Sequence, residues 1–356
     1  MANHQELITQ LALLRFKAQV SYDEHQHTKQ AFDLTRAFLE RGYRWVHQEG
    51  RGELHTEFEG DRLNGYVMVW RQPTSWYGSP VQYCALDFDW SEPRAVMWAT
   101  RKLLELRPSL DADCELMLSA RYHSILGVAL GAGFGIDSVV LLGDPQRSLE
   151  RLTKHHNPPQ RLGHLNLDIR PVSNRREVDH IIKLKREYFT AHPEFCWFGA
   201  QEEHLKQHRA ELERSVLKAR RRRHNEEELP TDDNTQLWVI YRERTFLGNF
   251  SYTANTRSVQ WGHSAGLDIM LHPLIQRQSV VKTVYRLMLE SMIERDVKVY
   301  KGGTAQPAVM GLGKLMERPL FSWVLRKNTA FPPAHFSAYL PDVISSSPRR
   351  APKIDL

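Results

Sequence analysis

Apolar residues recur along the chain at two spacings, which together predict its elements of secondary structure. Two runs with the three-to-four-residue spacing of a helix face open the chain, with apolar positions at Leu7, Leu11, Leu14 and Phe16 and then Phe32, Leu34, Phe38 and Leu39. Three strands are predicted next, between turns that contain Gly and Pro, at 55–59, 65–70 and 81–88. A helix ending at residue 106, a strand at 115–118, a helix at 123–130 and a strand at 137–142 follow.

The second half of the chain repeats this order of elements. A strand at 166–170 and helices at 175–190 and 201–222 precede strands at 237–241, 246–253 and 258–271. From Ala265 to Lys327 the pattern predicts a strand, a polar turn, a long helix, a strand, a short helix and a last strand. We therefore predict an α+β fold with two domains in tandem, 1–145 and 166–328, each a mixed, mostly antiparallel sheet flanked by helices. The polar stretch 146–165 predicts a linker, and the Pro- and Ser-rich residues 329–356 predict a tail.

Composition narrows the class of protein. The 356 residues are 41% hydrophobic and 25% charged, as in soluble globular proteins, and no apolar run is long enough to span a membrane. The N-terminus lacks the pattern of a secretory signal, and the three cysteines form no CxxC pair, so a cytoplasmic location is expected. The net charge of +6 arises largely at Arg220–Arg223 and Arg349–Arg350, and acidic and basic residues are otherwise mixed. This charge does not favour nucleic-acid binding as the main role.

The residues from Leu267 to Val324 resemble the GNAT family of acyl-CoA N-acyltransferases. That family's motif is a strand ending near a proline, followed by Q/R-x-x-G-x-G/A at the start of a helix, and it is matched here by Leu271, Pro273, Gln276, Ser279 and Val281. The later stretches TAQPAVMGLGKL and RPLFSWVL are similar to the family's last helix and strand. The two halves together look like a tandem GNAT protein.

The resemblance implies a site for acetyl-CoA or another acyl-CoA in the second half. Backbone N–H groups at a helix start can hold a phosphate, so the expected binding residues are Leu271, Gln276, Arg277, Gln278, Ser279, Val280 and Val281. It also implies that the strand ending before Pro273 parts from its neighbour.

The chain departs from the family at several positions. Ser279 and Val281 stand where the family has glycines, and Gly313 or its neighbours stand where it often has a tyrosine that acts as general acid. In the first half, Asp89 and Glu92 lie where a phosphate would sit and would repel it. We therefore expect no CoA site in the first half.

Candidate catalytic residues lie on or beside the strand that leads to the acyl-CoA turn. Asp268, His272 and His263 are candidates for the base that takes a proton from an amine. Walls for the acceptor are expected from Glu194, Phe195 and Trp197. His204 and His208 are predicted on an exposed helix face, because no third ligand completes a zinc site, and no metal is expected.

The resulting expectation is an N-acyltransferase that moves an acyl group directly from the CoA thioester to a small amine or amino acid. One alternative is an aminoacyl- or peptidyl-transferase resembling the Fem family, which also joins two GNAT-like halves and takes aminoacyl-tRNA. A second alternative is a GNAT-like binding protein without activity. The acceptor and the oligomeric state are left open.

Overall fold

A computed structural model describes residues 4–19, 29–72, 81–111, 114–154, 166–196, 198–224, 234–255, 264–276, 278–327, 329 and 331–340. Within these ranges the helices are α1 (His4–Gln19), α2 (Lys29–His47), α3 (Pro93–Leu106), α4 (His123–Gly131), α5 (Pro145–Lys154), α6 (Arg175–Ala191), α7 (Glu202–His224), α8 (Gln278–Glu294) and α9 (Pro307–Leu315). The strands are β1 (Gly52–Glu59), β2 (Arg62–Gln72), β3 (Val81–Phe88), β4 (Glu115–Ser119), β5 (Gly135–Gly143), β6 (Leu167–Pro171), β7 (Asn234–Arg242), β8 (Thr245–Asn255), β9 (Ser264–Leu271), β10 (Val299–Thr304) and β11 (Leu320–Arg326). None of the helices in these ranges has both the length and the apolar character that a membrane span requires.

All these strands form one sheet, in which the two halves exchange their last strands. The order is β1-β2-β3-β4-β11-β5-β10-β9-β8-β7-β6. Strand β5 pairs with β10 of the second half, and β11 pairs with β4 of the first half. The pairs β3–β4 and β9–β10 are parallel, and the other pairs are antiparallel. Each half therefore depends on the other for the strand that pairs with its inner edge, β4 or β10.

Helices cover both faces of the sheet. Successive residues of a strand point to opposite faces, so each strand contributes apolar side chains to both helix layers. In the first half, Val67 and Val69 pack in the core that includes α3 and α4, while Tyr66 and Met68 pack against α1 and α2. The second half follows the same rule: β7 presents Ile240 to the core of α8 and its neighbour Val239 to the core of α6 and α7.

Two segments outside the repeated order are also packed. Pro145 and the first residues of the predicted linker, 146–154, form α5, whose buried Ser148 lies 2.9 Å (Oγ to Oη) from the Tyr300 hydroxyl. In the predicted tail, Phe336 is fully buried in the core of the first half. The order of elements and their pairing confirm the α+β class and the tandem GNAT-like arrangement. The positions of the domain boundaries stay a prediction.

Candidate active site

The parallel strands β9 and β10 part soon after they begin to pair. Their register runs from Ser264↔Val299 to Gly266↔Lys301, yet β9 continues to Leu271 and β10 to Thr304. The backbone N–H of His272 donates to β8, so by strand alternation the peptide groups of Leu267 and Ile269 point toward β10. The Leu267 N–H still belongs to the last bridge, but the Leu267 carbonyl and the peptide groups of Ile269 lie where the pairing has ended, and they can bind an extended ligand.

The equivalent gap in the first half is filled by Tyr122. Pairing of β3 with β4 ends at Ala85↔Met117. The Tyr122 ring stacks on Phe88 with 4.2 Å between centroids, and its hydroxyl accepts from the Phe88 N–H at 3.3 Å. The same oxygen lies 3.4 Å from the Phe88 carbonyl. The N–H and the carbonyl of Phe88, which face this gap, thus both lie within hydrogen-bond distance of the Tyr122 hydroxyl.

Smaller side chains occupy the matching places in the second half. Tyr122 is the N-cap of α4, and the N-cap of α9 is Gln306, whose side chain turns away to donate to the Tyr188 hydroxyl at 3.0 Å. Tyr66, which faces Asp87 in the β2–β3 register, is matched by Ser251, which faces Asp268. The residues of the second half that match Tyr122 and Tyr66 are therefore not tyrosines.

The start of α8 adjoins this gap. A short 3-10 turn, Pro273–Ile275, leads from β9 to α8, and the first turn of α8 contains no acidic residue. The N–H groups at a helix start have no partner within the helix, so they are available to an anion. The Gln276 side chain donates to the Leu271 carbonyl at 2.8 Å and holds the turn against the strand.

The expected acyl-CoA residues are distributed around this helix start. Val280 is fully buried and Val281 packs against the same core, while Ser279 is half-buried. Arg277 lies outside the described residues, and so does the side chain of Gln278. The fifth helix residue, Lys282, is 9% exposed and has no carboxylate within ion-pair distance among the residues that are described. Its charge adds to the positive potential at this end of the helix.

Both halves carry an ion pair at the same structural position. Asp87 and Asp268 each lie two residues beyond the last parallel pair of their strand. Each pairs with a cation from the first helix of its half: Arg15 Nη1 lies 3.2 Å from Asp87 Oδ2, and Lys185 Nζ lies 2.8 Å from Asp268 Oδ2. The repeat places a carboxylate beside each gap, on the sheet face that α1 and α6 cover.

The two aspartates differ in exposure. The Asp87 side chain is 7% exposed and also accepts from the Tyr66 hydroxyl, whereas the Asp268 side chain is 37% exposed. Burial opposes ionisation of Asp268, but the charge and the hydrogen bond of the Lys185 ammonium favour it and lower the pKa of the carboxyl. Asp268 is therefore an ionised and accessible carboxylate beside the open gap.

His208 completes this group, contrary to the sequence-based prediction. His204 and His208 were expected on an exposed face, but His204 is 6% exposed and the His208 side chain 16%. His208 Nε2 lies 3.9 Å from Asp268 Oδ2, without a hydrogen-bond partner among the described residues. Burial, and then the charge of Lys185, hold the pKa of His208 well below its ordinary value, so its imidazole is neutral. The prediction was wrong because α7 packs against α6 and buries this face of the helix. The only trace of that packing in the sequence is the helical spacing of the apolar residues of α7.

A Lys185→Met variant is expected to raise the pKa of Asp268. The ammonium is the strongest influence that favours the ionised carboxyl, and burial, which favours the neutral form, would remain. Carbon-13 NMR of labelled aspartate follows the titration, whose midpoint moves to higher pH in the variant. Lys183→Met is the matched control, since Lys183 is on the same helix but exposed and paired with Glu187. An unchanged midpoint in Lys185→Met would contradict the assignment.

The other predicted site residues either have contacts away from Asp268 or lie outside the described residues. His272 Nδ1 accepts from the Leu274 N–H at 3.2 Å, which caps the turn after β9. Glu194 lies near His192, with 3.3 Å between Oε1 and Nδ1, and Phe195 packs on Phe331 with centroids 5.6 Å apart. His263 and Trp197 lie outside the described residues. Of the three candidate bases, Asp268 is the one that the described structure places beside the gap.

Comparison with known proteins gives likenesses of fold. No protein-family model and no curated protein matches the chain. Among solved structures, a tandem GNAT protein from the clavulanic acid biosynthesis pathway is 10% identical with a TM-score of 0.46, covering 91% of this chain and 96% of that one. A GCN5-related N-acetyltransferase from Kribbella flavida is 11% identical with a TM-score of 0.39, covering 90% and 95%.

A third similar structure is the C-terminal domain of a protein described as a lysylphosphatidylglycerol synthetase, from Agrobacterium fabrum. It is 12% identical with a TM-score of 0.37, covering 92% of this chain and 95% of that one. Identities this low say nothing about activity. By the order and pairing of its own elements, the chain has a tandem GNAT-like fold.

Proposed function

We propose that the chain is an acyl-CoA-dependent N-acyltransferase whose site lies in the second half. The observation that carries this proposal is the difference between the two gaps. Tyr122 bonds to the strand edge in the first half, whereas the edge of β9 beyond Gly266 adjoins an acid-free helix start. An acyl-CoA supplies an activated thioester, and its phosphates match the N–H groups of that helix start.

We assign separate roles in acyl transfer to the backbone of β9 and to Asp268. The Leu267 carbonyl and the peptide groups of Ile269 would align an extended ligand along β9. Asp268, ionised because of Lys185, would hold the ammonium form of the acceptor and take a proton from its nitrogen. The acceptor we propose is a small amine or amino acid, because the carboxylate suits a cationic nitrogen.

Calorimetric titration with acetyl-CoA tests the proposal. The wild-type protein is expected to bind, and Val281→Glu is expected to weaken binding at least tenfold, because it places a carboxylate in the first turn of α8. Val96→Glu is the matched control: Val96 holds the same place in α3 and is also partly buried against its core. Folded wild-type protein that does not bind at millimolar ligand would overturn the proposal, as would equal loss in both variants.

A second candidate, aminoacyl transfer from tRNA, is favoured by the arginines at 220–223. They occupy the last turns of α7, the helix that carries His208 to the gap. Such a cluster would suit a polyanionic donor. Titration with bulk tRNA at two salt concentrations distinguishes the candidates: salt-sensitive tRNA binding without acetyl-CoA binding would favour aminoacyl transfer.

A further inference from the structure

Arg318 is a buried cation beside the point where β9 and β10 part. It follows α9 in the chain and is 3% exposed. Gly302 is the first residue of β10 beyond the last parallel pair. A Cβ on Gly302 would lie 3.4 Å from Arg318 Nη2 and 3.7 Å from the Leu267 Cβ. The guanidinium therefore lies at the vertex of the gap.

The charge of Arg318 is poorly compensated. Its Nη2 donates to the Leu141 carbonyl at 3.0 Å, and its Cζ lies 4.6 Å from the centroid of the Tyr300 ring. Its Nε is buried without a hydrogen-bond partner, and no carboxylate of the described residues forms an ion pair with it. An isolated buried cation is costly, and an arginine cannot relieve the cost by losing its proton. An anion at the vertex would offset that cost.

Arg318 and Asp268 lie on opposite faces of the sheet at this vertex. Tyr300, which the guanidinium covers, belongs to the core of α8. Asp268 pairs with Lys185 of α6 on the other face. A thioester at the vertex would thus have a carboxylate on the side of the incoming amine and a guanidinium on the side of the departing sulfur.

A larger side chain has no room at Gly313, in the stretch where the family often has an acidic tyrosine. A Cβ on Gly313 would lie 2.7 Å from the Tyr339 hydroxyl. That hydroxyl lies 3.3 Å from the Met310 carbonyl, and burial raises the pKa of Tyr339 to about 12, despite the opposing charge of Arg318. Because the phenol donates to a backbone carbonyl and binds its proton tightly, it is a poor acid for a leaving thiolate.

We propose that Arg318 is the residue that stabilises the thiolate leaving group of acyl transfer, in place of an acid that protonates it. The inference rests on the proposed function. The ammonium form of the acceptor first loses one proton to solvent. In the step, the amine nitrogen bonds to the acyl carbon, and the carbon–sulfur bond breaks with its electron pair on sulfur. The second proton of the nitrogen passes to Asp268, which releases it to solvent. The thiolate pairs with the guanidinium and is later protonated by solvent.

The test is the pKa of the CoA thiol when bound, followed by the ultraviolet absorbance of the thiolate. Wild-type protein is expected to lower that pKa by about 1 to 3 units, as a cation in contact does. Arg318→Met is expected to abolish the shift, and Arg318→Lys to keep part of it. Arg286→Met is the control, because Arg286 pairs with Glu290 on the outer part of α8.

The outcomes separate the two proposals. Protein that binds neither CoA nor acetyl-CoA overturns the proposed function. Protein that binds CoA without a shift in the thiol pKa overturns the role of Arg318 alone, as does an equal shift in Arg318→Met. If Arg318→Met does not fold, the wild-type shift and its reduction in Arg318→Lys still decide the matter.

Discussion

An Asp268→Asn variant is expected to transfer acyl groups about 10²- to 10⁴-fold more slowly than the wild-type protein, the range typical for loss of a positioned base. Asparagine keeps the shape of the side chain but cannot accept a proton or balance Lys185, which lies 2.8 Å from the carboxylate. The loss should fall on the transfer step, since Asp268 lies on the sheet face opposite the α8 core.

The measurement is release of free CoA from acetyl-CoA with a panel of small amines and amino acids. Calorimetry on the same variant serves as the control, and its affinity for acetyl-CoA is expected to stay within about twofold of wild type, an energy under about 0.5 kcal/mol. A transfer rate that also stays within twofold would show that Asp268 is not the base. Neutral His208, with Nε2 at 3.9 Å, would then be the next residue to replace.

Replacing the equivalent aspartate of the first half, in Asp87→Ala, is expected to lower the free energy of unfolding by about 3–5 kcal/mol. Burial raises the pKa of Asp87, and Arg15, Tyr66 and Tyr122 oppose that effect. Without the carboxylate, the Arg15 guanidinium would stay buried with its Nε already unpartnered. An uncompensated buried charge costs far more than a lost surface contact.

Urea denaturation of Asp87→Ala and of a control variant measures the loss in the free energy of unfolding. Asp179→Ala is the control, because Asp179 pairs with Arg209 at the surface and its loss should cost no more than about 1 kcal/mol. If Asp87→Ala lowers the free energy of unfolding by less than about 1 kcal/mol, the ion pair of Arg15 and Asp87 does not stabilise the first half.

The sequence predicted the strands and helices of both halves because their apolar spacing is regular. It did not predict the exchange of β5 and β11, since apolar spacing shows which face a strand buries and not which neighbour it pairs with. The helix at 145–154 was missed because its stretch is polar and continues to the adjacent prolines Pro158 and Pro159, which predicted a linker, although its buried Ser148 and Leu152 lie four apart.

The candidate site was predictable in part. Asp268 could be named because it lies on the strand that leads to the acyl-CoA turn. Lys185, His208 and Arg318 come from distant segments, and their proximity depends on how α6, α7 and the turn after α9 pack. Alignment of the two halves could have identified Lys185, because Arg15 and Lys185 occupy similar places in the first helix of each half.

Hydrogen exchange with and without acetyl-CoA tests most directly whether the second half holds the site. Protection is expected in peptides that cover residues 267–271 and the start of α8 at 278–281, where the strand edge and the helix N–H groups would bind the ligand. The equivalent residues of the first half, 86–88 and 93–96, are expected to exchange at unchanged rates, because Tyr122 already bonds that strand edge. Protection of the first-half peptides with none in the second would contradict this account.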